Sequence, residues 1–84
     1  MVSTRSALES RARVIKALAH PTRLMVVEEL HRARRSVGDL AAKAGCDIST
    51  MSRHLAVLRN CGIVAVEKSA STLLCRLATP CIMD

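Results

Sequence analysis

The sequence contains no phenylalanine, tyrosine or tryptophan. That absence argues against the single-strand and RNA modules that stack bases on aromatic rings. It also leaves Leu, Val, Ile, Met and Ala to build the core, and these bury less apolar area per side chain than rings do. Acid is scarce: 7 Asp+Glu stand against 13 Lys+Arg, a net charge of +6. No apolar run approaches the roughly 18 residues of a membrane span. No segment pairs a basic face with a large insertable apolar one, so no membrane partner is expected. The opening stretch, MVSTRSALESRAR, lacks the unbroken apolar core of a secretion signal. Cys46, Cys61, Cys75 and Cys81 form no CxxC pair, which excludes zinc-ribbon and zinc-finger patterns. Without secretion, a disulfide framework is not expected. No nucleophile elbow, HExxH or Gly-rich phosphate loop is present, so no enzyme is expected.

What is there points to one cytoplasmic globular domain spanning residues 1–84. Half of the 84 residues are hydrophobic, too many for a disordered chain. A chain this short buries only ~60–65% of its unfolded surface. With no aromatic residues the monomer is expected to be marginal, and a dimer would supply the missing burial. The excess of positive charge points to a polyanion, nucleic acid first.

The periodicity predicts mainly helix with a small β-hairpin. A first helix spans Ser6–Ala19, with Ser6 as cap and Glu9 as its box partner. Leu8, Ala12, Ile15 and Ala19 form one apolar stripe along it. His20-Pro21 marks a joint. Pro21 to about Arg34 reads as a buried second helix, apolar on most sides through Leu24-Met25-Val26-Val27 and Leu30. Its basic end, Arg32, Arg34 and Arg35, suits a helix C-terminus. Ser36 caps a short third helix ending at Gly45, and Asp47 caps a fourth that stops at Gly62. Val64 and Val66, then Leu73, Cys75 and Leu77, alternate as two strands with one buried face. Lys68 to Ser71 is the polar turn between them.

Helix, Gly-centred turn and helix make a helix-turn-helix. Met51, Leu55 and Leu58 recur at i, i+4 and i+7 and bury one face of the fourth helix. Ser49, Ser52, Arg53, Ala56 and Asn60 fall on the other. That face is small-chained and singly basic, as close approach to a major groove requires. His54 lies between the two faces and reads as a half-buried, hydrogen-bonded residue that also reaches a phosphate. No cysteine or carboxylate stands three or four residues away to make it a metal ligand.

The stretches KALAHPTRL (Lys16–Leu24), VGDLAAKA (Val37–Ala44), STMSRHLAVLRNCGIV (Ser49–Val64) and CRLATP (Cys75–Pro80) resemble the ArsR/SmtB family of bacterial winged-helix repressors. The resemblance covers about residues 8 to 82. It implies a winged helix-turn-helix, a homodimer on a palindromic operator in double-stranded DNA, and release by an inducer. The family's recognition-helix positions fall on Ser49, Thr50, Ser52, Arg53 and His54, and the wing on Lys68 to Ser71, with Lys68 and Ser71 as contacts. The dimer face is expected on Leu8, Ala12 and Ile15.

The family's sensing sites match this chain poorly. Where many members begin the third helix with Cys-Val-Cys, this chain has Ser36-Val37-Gly38. A terminal sensory helix after the hairpin is not expected, because the sequence stops at Asp84. Of two cysteines placed four apart at the end of the recognition helix in some members, Cys61 matches the second and Val57 stands at the first. Cys75 reads as a core thiol. Cys81, beyond Pro80, is the candidate inducer ligand, with Cys61 next. Arsenite or a soft divalent metal ion is the favoured inducer. Thiol oxidation or a sulfur signal is the alternative. A winged-helix protein-interaction module is the competing class.

Overall fold

The fold is given by a computed structural model, which describes residues 4–78. Helix α1 (Arg5–Leu18) is capped by Thr4, whose hydroxyl accepts the Ala7 N–H at 3.1 Å. The expected cap, Ser6, lies inside the first turn. Starting the helix earlier sets Arg5 against Glu9 at 3.5 Å, so Glu9 serves an ion pair instead of a capping box. Helix α2 (Pro21–Arg32) begins on proline, with His20 as its cap. It ends short of Arg34 because Ala33 turns extended and Arg35–Ser36 forms a strand, β1. Ser36 then caps α3 (Val37–Ala44), accepting the Asp39 N–H at 3.1 Å. Gly45, at φ 72°, closes α3 in the left-handed conformation a glycine adopts at no steric cost. Asp47 caps α4 (Ile48–Asn60). Strands β2 (Val64–Ser69) and β3 (Thr72–Leu77) follow.

The sheet is antiparallel in the order β1-β3-β2, so the expected hairpin is widened by a third strand. Arg35 pairs with Cys75 and Ser36 with Leu74. On the other side the ladder runs from Val64↔Leu77 to Ser69↔Thr72. Lys68 and Ser69 are therefore strand residues, and the turn narrows from the expected four residues to Ala70 and Ser71. Two-residue connections suit the twist of a hairpin, but they demand positive φ. Ala70 meets that demand at φ 56°, a conformation that costs a residue with a Cβ about 1–2 kcal/mol.

Val26, Val27, Leu40, Met51, Leu58 and Ile63 are the centre of the core. Cys75, Leu77 and Val64 close it from the sheet side. Two expected core residues lie outside it. Leu24 is 45% exposed, so α2 is not apolar-buried all round, and Leu73 is 53% exposed. Leu73 keeps the face that alternation assigned to it, but that face opens there onto a crevice beside α4. Glu29 is the only buried charged residue among those described. Three cations surround it at 3.5–3.7 Å: Arg32 of its own helix, Arg35 of β1 and Lys43 of α3. No described helix is long and apolar enough to cross a membrane.

Candidate nucleic-acid interface

The second helix of the helix-turn-helix is held from both ends and from behind. Behind it, Met51, Leu55 and Leu58 are buried. At its start the Asp47 carboxylate accepts the Thr50 N–H at 2.7 Å. That backbone hydrogen bond, a further one to the Thr50 side chain and the Arg53 charge lower the Asp47 pKa below the usual carboxylate value. The stability this brings is present above the unfolded pKa and is lost as pH falls through the lowered one. At its end, the Cys61 thiol donates to the Arg13 carbonyl of α1 at 3.8 Å.

This leaves Ser49, Ser52, Arg53, Ala56, Arg59 and Asn60 exposed, with Thr50 and His54 half-buried. Lys68 and Ser71 are exposed on the wing. The two surfaces adjoin. A crevice of about 140 Å³ between α4 and the hairpin is lined by Ser52, Ala56 and Arg59 on one side and Val66 and Leu73 on the other. Every expected nucleic-acid residue thus lies on α4 or the wing. Arg59 and Leu73 join them at the crevice, neither singled out by sequence. Arg59 is the last basic residue of the helix, which by itself reads as a dipole partner. Only the fold brings it opposite the hairpin.

His54 is hydrogen-bonded as expected, and its partner is Arg23, whose Nε donates to Nδ1 at 3.3 Å. Burial, then the charges of His20 and Arg23, lower its pKa below the usual 6.5. The basic cluster at the end of α2 is engaged in ion pairs. Arg32 and Arg35 face Glu29. Arg34 pairs with Glu67 at 2.6 Å, and Arg76 shares that carboxylate at 3.2 Å.

Leu8, Ala12 and Ile15 are all exposed, Ile15 at 67%, while Val14, Ala17 and Leu18 of the same helix pack on the core. The thiols divide. Cys75 is fully buried, and burial raises its pKa, as a core thiol requires. Cys46 and Cys61 are half-buried. Cys81 lies outside the described residues. Among those described, no three His, Cys, Asp or Glu side chains gather as a metal site would need.

Residues 18–67 match a helix-turn-helix domain family. The chain is 42% identical over 76 residues to the biofilm growth-associated repressor of Agrobacterium fabrum, a match covering 86% of this chain and 65% of that protein. It is 32% identical to the HTH-type transcriptional repressor SmtB of Mycobacterium tuberculosis, over 88% of this chain and 55% of that one. Its fold is similar to the homodimeric winged helix-turn-helix DNA-binding domain of a possible ArsR-family transcriptional regulator from Mycobacterium bovis. The TM-score is 0.85 at 31% identity, across 96% of this chain and 77% of that chain. The chain spans about two thirds or less of the length of the curated relatives it matches.

Proposed function

The chain belongs to the ArsR/SmtB family of winged helix-turn-helix transcriptional regulators, and on that premise we propose that it represses transcription by binding a palindromic operator in double-stranded DNA as a homodimer. One observation carries the reading. The face of α4 opposite Met51, Leu55 and Leu58 is built of Ser49, Ser52, Arg53 and Ala56, and the wing adjoins it across the crevice. Small side chains let a helix backbone come close to base edges, a single arginine can pair with guanine, and the hydroxyls can meet phosphate. Lys68 and Ser71 extend the contact from the wing, and Thr50 and His54 flank it. The dimer forms through Leu8, Ala12 and Ile15 of α1. Binding of chromosomal DNA makes the protein cytoplasmic.

The test is selection from random duplexes followed by titration of the selected site against salt. Two subunits with roughly four phosphate contacts each should give a log K against log salt slope of about −7. A palindromic consensus with that slope supports the reading. A slope shallower than about −3 overturns it and favours a protein-interaction module.

We further propose that an inducer releases the DNA. The described residues do not fit a closed metal site: Cys75 is buried and the Cys61 thiol is held on a carbonyl. A thiophilic inducer, arsenite or a soft divalent metal, would therefore need Cys81, with Cys61 as the weaker candidate. Oxidation of Cys81 is the competing signal. Cys81→Ser should abolish release by arsenite, cadmium or peroxide and leave operator binding intact, read by gel shift. A variant still released by all three removes Cys81 from the mechanism.

A further inference from the structure

Arg23 stands where three elements meet. Its Nη1 donates to the Ala17 carbonyl near the end of α1 at 3.4 Å, and its Nε donates to His54 Nδ1 on α4 at 3.3 Å. Two residues before α2's second position, His20 uses its own Nδ1 to accept the Thr22 N–H at 3.2 Å. The two imidazole rings lie 4.7 Å apart, tilted by 55°.

The chemistry of these contacts is one-sided. A neutral imidazole has one lone-pair nitrogen and one N–H. In both rings the lone pair is on Nδ1, and it accepts from a donor that cannot become an acceptor: a guanidinium for His54, a backbone N–H for His20. Protonation places a hydrogen on that same nitrogen. At each ring the proton and the hydrogen bond therefore exclude one another. The groups acting on His54 are His20, the cap of α2, and Arg23 within it; α1 contributes the Ala17 carbonyl through Arg23, and the neighbouring charge on α4 itself is Arg53. A second positive charge on His54 would face Arg23 directly.

We propose that Arg23 is a positioning residue that holds α4 to the α1–α2 joint through neutral His54, so that protonating His54 loosens the reading helix and weakens DNA binding. The proposal rests on the DNA-binding reading above. It gives pH dependence a sign opposite to that of a histidine lying on a phosphate, which binds more tightly when charged. The lowered pKa of His54 agrees with it. The stability linked to that shift is complete above the usual 6.5 and is lost as pH falls through the lowered value.

The test compares the wild-type chain with Arg23→Gln, using a labelled operator duplex at pH 7.5 and pH 5.5 and constant salt. Wild-type affinity should fall roughly tenfold in acid, the scale of one lost hydrogen bond to a charged group. Arg23→Gln should start weaker at pH 7.5 and change less than about twofold. An NMR titration of the free protein reads the joint without DNA. His54 should titrate below 6.5, the Ala17 carbonyl carbon should follow the same curve, and Arg23→Gln should move the His54 pKa upward. If that variant does not fold, Arg23→Met, which keeps the length of the side chain without its charge or donors, takes its place in both measurements. Tighter wild-type binding in acid, a variant profile parallel to wild type, or a His54 titration that leaves the Ala17 carbonyl unmoved each overturns the proposal. If the NMR curves behave as stated and no duplex binds at either pH, the DNA-binding reading fails and the positioning role stands.

Discussion

Ile15→Glu is expected to leave the chain monomeric at concentrations where the wild type is a dimer. Ile15 is 67% exposed and Leu8 52% exposed on the same flank of α1, while the opposite flank, Val14, Ala17 and Leu18, packs on the core. The helix thus has two apolar sides, and the fold of one chain covers one of them. Burying a side chain of this size stabilises by about 1.5–3 kcal/mol. Two copies of Ile15 meeting in a dimer contribute roughly twice that, about 3–6 kcal/mol. A glutamate forfeits this and brings two carboxylates into the same interface. The dissociation constant should rise by at least about a hundredfold. Because Ile15 is mostly exposed within the subunit, the helical content should survive. Sedimentation equilibrium beside circular dichroism separates the two effects. A folded variant that remains dimeric would place the interface away from α1.

Arg53→Ala is expected to cost operator affinity far more than affinity for random DNA. Arg53 is exposed on α4 between Ser52 and the seam residue His54, and its charge reaches Asp47 at the helix start. A bidentate guanidinium–guanine contact is worth about 1–3 kcal/mol of discrimination against a wrong base, whereas a phosphate contact weakens all duplexes alike. Competition titrations with operator and random duplex at one salt concentration give the ratio. Equal losses on both would reduce Arg53 to a backbone contact and move base readout to the serines and Asn60.

The parts of the fold legible in the sequence are those fixed within a few residues. Ser36, Gly45 and Asp47 each do what their type and neighbours specify, because a cap or a left-handed closure is settled inside one helical turn. The seat of α4 was equally plain, since Met51, Leu55 and Leu58 repeat at the helical period. What escaped depends on partners distant in the chain. β1 is two residues long, too short for any alternation, and exists only because β3 lies alongside it. Leu73 alternates correctly but lines the open crevice against α4, a gap between elements that no local pattern carries. Glu28 and Glu29 look alike in the sequence. Glu29 falls three residues after Val26, on the buried face, and a search for cations able to meet it there would have singled out Arg35 and Lys43. For the candidate site, the outward face of α4 was readable, but Arg23 was not. Its sequence setting marks a helix start, and only the crossing of α1 and α4 turns it into a fork between them.

Ser36 belongs to two structures at once. Its backbone is paired with Leu74 in the sheet, and its hydroxyl caps α3. One residue before it, Arg35 is paired with Cys75 and reaches the same buried carboxylate as Lys43 of α3. There is consequently no free length of chain between the helix-turn-helix and the sheet that carries the wing. Swinging the wing away from α4 would strip the cap from α3 or open the β1–β3 ladder, and drawing α3 aside would do the same from the other end. Mechanically, each subunit's reading head is a lever without an elbow. On the proposed α1 interface, the distance between the two heads of a dimer is then set where each arm joins α1, and not by flexing between α4 and the wing.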